Sequence, residues 1–290
     1  MQSQTNPYFC RIAAITVGIA LLLSLPSVAQ ERWKVLPPTP KLPQATKSGY
    51  AAVNYIQMWY AEFGEGSPVL LLQGGLANSD YFGTLEMFLV QHHFRVIVAD
   101  SRGQGRSSRS AQPYSYHLMA SDVLALLDYL KLDKVDLVGW SDGAIIGIDI
   151  AIHHPERLNH LFAFGANTDP SGVIAGGDNN PVFVAYVKRA GDEYRRLSQT
   201  PDQYDAFLKQ IGRMWETEPH YTAAQLKSIK VPTTISDGQY DEIIKQSHDV
   251  YMANTVPGAR LVILPKVSHF AMLQNPPLFN SAVLAALSVH

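Results

Sequence analysis

The feature that most constrains this chain is a repeated alternation of short apolar runs with helical stripes. The runs are "PVLLLQGG" from Pro68, "FRVIVAD" (Phe94–Asp100), "KVDLVGW", "LNHLFAFGA", "VPTTISDG" and "ARLVILP". Each is apolar on both alternating faces, which suits a strand covered on both sides, as in a parallel sheet. Between two of them, "YHLMASDVLALLDYLKL" repeats apolar residues at Leu118, Val123, Leu126, Leu127 and Leu130, the stripe of a helix packed on one side. Strand–helix units of this length imply right-handed crossovers, hence an α/β fold with a mostly parallel central sheet and helices on both faces. Strand character begins near Tyr50, and "GEGS" (Gly64–Ser67) reads as a hairpin turn.

The rhythm breaks after Ala166. A Gly/Asn/Pro-rich turn, "SGVIAGGDNNP", is followed by charged helical segments such as "PDQYDAFLKQIGRMW", without a buried-strand signal until Lys230. The organisation expected is a core in two parts, residues 49–168 and 230–290, with a helical cap inserted at 169–229. In that cap Phe207, Ile211, Met214 and Trp215 form a stripe suited to packing on the core, its edge roofing a pocket.

The N-terminus differs in kind. Arg11 precedes the apolar run Ile12–Leu25, which is short for a bilayer span but fits the apolar region of a signal peptide, with small residues Ser27 and Ala29 before a cut after Ala29. Residues 1–29 are therefore expected to direct export to the periplasm or medium, with no stable membrane insertion after cleavage, and 30–48 to be a proline-rich extended lead-in. The only cysteine, Cys10, falls in the leader, so the mature chain would lack disulfides, a thiol nucleophile and thiolate metal sites. A net charge of −2 gives no reason to expect a nucleic-acid partner.

One motif carries chemistry. Gly139-Trp140-Ser141-Asp142-Gly143 is a G-x-S-x-G sequence placed where a strand gives way to a helix. Such a turn lifts a strained serine hydroxyl above the sheet, and the helix start behind it offers the Asp142 N–H to an oxyanion. A serine nucleophile needs a histidine base steadied by a carboxylate, in the chain order Ser, acid, His. His269, in the loop "KVSHF" after the strand "LVILP", stands where catalytic groups gather in open α/β sheets. His220 falls in the cap, and His248 reads as a solvated helix face. For the acid, "SDGQYDEII" offers Asp241, with Asp237 in reserve and Asp169 more remote; Asp241 could instead be a helix N-cap. A second oxyanion donor is expected in "GGLANSD", at Gly75 or else Leu76. Trp140 could line an acyl pocket or be buried.

Together, Gly139–Gly143, the loop "DSRGQGRSS", "GQYDEI" and "SHF" resemble the α/β-hydrolase family, from Tyr50 to the C-terminus. The family usually has His-Gly at the oxyanion loop, where this chain has Gln73-Gly74. "GWSDG" with "FGAN" (Phe164–Asn167) is similar to the small-cap esterases of the valacyclovir hydrolase group, in which the residue at Asp142 helps receive a substrate amino group. The resemblance implies a serine hydrolase acting on small-molecule carboxylic esters without a cofactor. The same scaffold also serves C–C hydrolases and iminopeptidases, and a ligand receptor is the non-enzymatic alternative. The pairs His92-His93 and His153-His154 tempt as metal ligands, but adjacent helical residues face different ways, so no metal is expected.

Overall fold

The computed structural model describes residues 1–2 and 31–288. The signal-peptide reading of residues 1–29 therefore lies outside the described residues, save the first two. Eight strands form one sheet: β1 (Lys47–Val53), β2 (Ile56–Phe63), β3 (Ser67–Leu72), β4 (Phe94–Ala99), β5 (Val135–Trp140), β6 (Leu158–Phe164), β7 (Thr233–Gly238) and β8 (Arg260–Leu264). The helices are α1 (Gly83–Gln91), α2 (Tyr116–Tyr129), α3 (Asp142–His153), α4 (Pro181–Leu197), α5 (Tyr204–Thr217), α6 (Ala223–Ser228), α7 (Gln246–Thr255), α8 (Ala271–Gln274) and α9 (Pro276–Leu287). No described helix is long and apolar enough to cross a membrane.

The strand order is β1-β2-β4-β3-β5-β6-β7-β8, antiparallel through β2/β4 and parallel from β4 onward. Helices cover both faces. α2 and α3 pack together, with α6 against α3 and α7 on one side, while α1 packs on α9 on the other. The runs read as doubly covered strands are buried accordingly: β5 is buried along its whole length, as are Val69–Leu72 and Val96–Ala99. Burial of such strands on both faces at about 25 cal/mol per Å² of apolar surface is what holds the sheet against chain entropy.

One expectation fails here. "GEGS" is not a hairpin turn, because β3 pairs with β4 and β5 and leaves β2 on the far side of β4. A glycine turn specifies a reversal, not the neighbour, and the parallel crossover through α1 sets β3 beyond β4. The hairpin is instead β1–β2, turned at Asn54 and Tyr55, both of positive φ. The lead-in also packs. Leu36 and Leu42 lie on the core, Arg189 of α4 donates to the carbonyls of Leu36 (2.9 Å) and Pro37, and Gln274 of α8 donates to Val35 (3.0 Å).

Between β6 and β7, residues 165–232 form helices and turns, apart from one isolated bridge, Val173 to Ile244. The amphipathic α4 and α5 face the C-terminal ends of the parallel strands. Phe207, Ile211 and Met214 are buried, as their spacing predicts.

Candidate active site

Ser141 sits between β5 and α3 with φ 53° and ψ −119°, a left-handed conformation that costs a non-glycine residue of the order of 1–3 kcal/mol. The flanking glycines make it feasible: a Cβ on Gly139 would fall 2.5 Å from Ala144 of α3, and one on Gly143 would meet Leu72 of β3. The Ser141 N–H donates to Phe164 O at 2.8 Å, anchoring the elbow to β6.

His269 comes from the loop after β8. It is buried, and its Nδ1 lies 2.6 Å from Asp241 Oδ2. Gly165, next to the residue that holds Ser141, also abuts this ring: a Cβ there would be 2.9 Å from His269 Nδ1. Ser141 and His269 thus converge on the Phe164–Gly165 segment, and both line one cavity of about 580 Å³. Gly75, Trp140 and Asp142 line it too. Leu76 does not; it is buried with φ 69°.

Asp241 is not a helix cap, since α7 starts only at Gln246. Its Oδ1 accepts from the N–H groups of Ile243 (2.6 Å) and Ile244 (2.7 Å), which leaves Oδ2 for His269. Burial opposes its ionisation, but the charge and hydrogen bond of His269 and these N–H donors carry the net shift downward. His269 is shifted upward: burial works against its charged form, and Asp241, Glu242 and Asp142 together outweigh it. Asp237, the reserve acid, lies close to both residues, but the hydrogen bond to His269 comes from Asp241. Burial and then the Asp241 charge hold the Asp237 carboxyl well above the usual range, and its Oδ1 accepts the N–H of Gly238 at 2.7 Å. Asp249 adds a third buried carboxyl, also raised chiefly by burial. Asp169 caps a short turn and pairs with the exposed His220 at 3.1 Å, remote from this group. His248 is half-buried rather than on a solvated face, and its Nε2 accepts from the Thr168 N–H at 3.0 Å.

The other side of Ser141 is built around Asp142. Its N–H, first in α3, has no intrahelical acceptor. Its carboxylate is buried in the cavity wall, accepting from Tyr116 Oη at 2.8 Å and from Trp215 Nε1 at 3.0 Å. Burial pushes its pKa up to about 6, against the lowering effect of Trp215, Tyr116 and His269. Gly75 fits only as glycine: a Cβ would stand 2.5 Å from Asp142 Oδ2. Tyr186 of α4 donates to the Gly75 carbonyl and fixes that loop. Gln73, with its amide oriented to satisfy its surroundings, donates to Ala99 O (2.7 Å) and accepts from Ser101 N (2.8 Å), fastening the same loop to the end of β4. Trp140 is buried, stacks on Tyr81 with centroids 5.5 Å apart, and still contributes to the cavity wall.

Sequence reasoning missed the roles of Tyr116, Trp215 and Tyr186, and also that of Glu242, whose Oε2 accepts the backbone N–H of His269 at 3.1 Å. Trp215 was visible only as the edge of a packing stripe. The "DSRGQGRSS" loop is architectural: Asp100 accepts from Ser79 N–H and Oγ, both at 2.7 Å, and from Arg106. Among the described residues, two groups bring three ligand-type side chains within 4.8 Å of one another: Asp237/Asp241/His269, within the site above, and His117/Asp149/His153.

Comparison with known proteins agrees with this architecture. The sequence model of the α/β hydrolase fold matches residues 67–203. The human serine hydrolase BPHL is 28% identical over 249 residues, covering 80% of this chain and 84% of that protein. The 3-oxoadipate enol-lactonase 2 of Acinetobacter baylyi is 25% identical, covering 79% and 92% of the two chains. Among solved structures, the meta-cleavage product hydrolase CumD of Pseudomonas fluorescens superposes with a TM-score of 0.73 at 19% identity, over 84% of this chain and 97% of that one. The chain has the α/β-hydrolase fold. Within it, the chain is a hydrolase by fold whose distant relatives include esterases, lactonases and C–C hydrolases.

Proposed function

We propose that the protein is a serine hydrolase of small-molecule carboxylic esters. The observation that carries this reading is the convergence of a strained Ser141 and the 2.6 Å His269–Asp241 pair on one cavity. His269 takes the Ser141 proton as the oxygen attacks the ester carbonyl, and the N–H groups of Asp142 and Gly75 receive the oxyanion. Asp241 holds the neutral imidazole in one tautomer and steadies the imidazolium until that protonates the leaving alcohol. Water activated by the same histidine then clears the acyl-enzyme.

The cavity supports esters over the other reactions of this scaffold. Asp142, Asp178, Glu216 and Glu218 line it, and no lysine or arginine does. A carboxylate-bearing substrate, such as a dienoic acid cleaved at a C–C bond, would be repelled there, whereas a neutral or amine-bearing ester would not. Asp142, held only by neutral donors, is the group that would receive the amine. The N-terminal leader adds export to the proposal, and sequencing the mature N-terminus checks it. The functional test is Ser141→Ala: a folded variant should lose p-nitrophenyl ester hydrolysis by at least about a thousandfold. Near-full activity in that variant would overturn the reading.

A further inference from the structure

Beside the Ser141 cavity, and sharing Glu218 with it, α2, α3 and the chain leaving α5 border an open pocket of about 440 Å³, lined by His117, Asp149, His153, Glu218, His220 and Tyr221. His117 belongs to α2, while Asp149 and His153 are one turn apart on α3 and so share a face. The Nδ1 atoms of His117 and His153 lie 3.1 and 3.3 Å from the same oxygen, Asp149 Oδ1. Donors set tetrahedrally about a zinc ion at about 2.0–2.1 Å are separated by about 3.3 Å. The second oxygen, Oδ2, accepts from Tyr221 Oη at 2.9 Å, the outer hydrogen bond that orients a ligating carboxylate. Asp149 is buried while the two rings reach solvent, which gives the ligands a fixed anchor and an open entry path.

The geometry points to a binding site for a divalent transition ion of the zinc class at His117, Asp149 and His153, separate from the ester cavity. Two imidazoles and one carboxylate suit zinc, nickel or copper and do not suit magnesium, which prefers oxygen donors. Binding replaces a proton on each Nδ1; without the ion, His117 donates to Asp149 Oδ1, and His153 Nδ1 also lies 3.0 Å from Asp149 O. The fourth position opens on the cavity, to water or to His220. The site ties α2 to α3, and the Tyr221 hydrogen bond to Asp149 Oδ2 joins the segment Glu218–Tyr221 to it. Its role is therefore to fasten, not to react.

The test uses the full chain without a histidine tag, stripped with EDTA and titrated with zinc chloride by calorimetry and by thermal melting. The expected result is one ion per chain and a rise in Tm with zinc but not magnesium. Affinity should fall at least about tenfold in His117→Ala and in His153→Ala. Both alter partly exposed rings, so folding is checked by their unchanged metal-free melting. His92→Ala should bind as the native protein does. Zinc binding of unchanged affinity in the His117→Ala, His153→Ala double variant, or no one-to-one binding to the native protein, overturns the proposal.

Discussion

Two buried carboxylates flank Ser141, and they are held in opposite ways. Behind His269, Asp241 has an imidazole partner and two backbone N–H donors, and its pKa is driven down. Across the cavity, Asp142 has only a phenol and an indole N–H, and its pKa rises to about 6. Burial is common to both; the partner decides the sign. One corner is thus built to stay charged as chemistry proceeds, and the other keeps a charge at a stability cost that a cationic ligand would offset.

The sharpest way to break the comparison is to neutralise each carboxylate in turn. Asp241→Asn should lower kcat on p-nitrophenyl acetate by about 10⁴, because the imidazole loses its fixed tautomer. Asp142→Asn should lower it by no more than about tenfold, since the backbone N–H at that position is retained. Equal losses in steady-state kinetics would mean the two corners are not functionally distinct.

Amine-bearing esters sharpen it further. Asp142→Asn should cost an aminoacyl ester about 10–100-fold in kcat/KM relative to its neutral analogue, the scale of one hydrogen-bonded charge. In the native protein the ratio of the two kcat/KM values should fall as pH drops through about 6, as Asp142 takes up a proton. Taking the ratio cancels the titration of His269, which serves both substrates. A ratio flat from pH 5 to 8 would remove Asp142 from amine recognition.

The smallest effect is on stability. Asp142 binds its proton more tightly folded than unfolded, so its contribution favours the folded state at low pH and is lost as pH rises from about 4 through about 6. Asp142→Asn should therefore be more stable than the native chain at pH 8, by about 1–3 kcal/mol in urea unfolding, and show little gain at pH 4.

The two corners were unequally legible in the sequence. Ser141, Asp241 and His269 each follow a strand end and keep a fixed chain order, so motif and order sufficed to single them out as candidates. The partners of Asp142 come from α2 and α5, and nothing local in "PYSYH" or "GRMWE" says that Tyr116 and Trp215 meet one carboxylate. Helix packing decides that, and the sequence encodes it only as an amphipathic face. The misread turn at Gly64–Ser67 has the same origin: the turn was visible, while the strand β3 would pair with was set by a crossover. His153 was judged against its neighbour His154, although its partner is Asp149, one turn back.

The most direct test of the convergence at Ser141 is intact-mass analysis after treatment with a fluorophosphonate. The native protein should gain one adduct, mapped to the peptide containing Ser141, none should form in Ser141→Ala, and labelling of His269→Ala should be slowed at least about a hundredfold. A native chain that stays unlabelled, or that carries the adduct on another residue, would contradict the account.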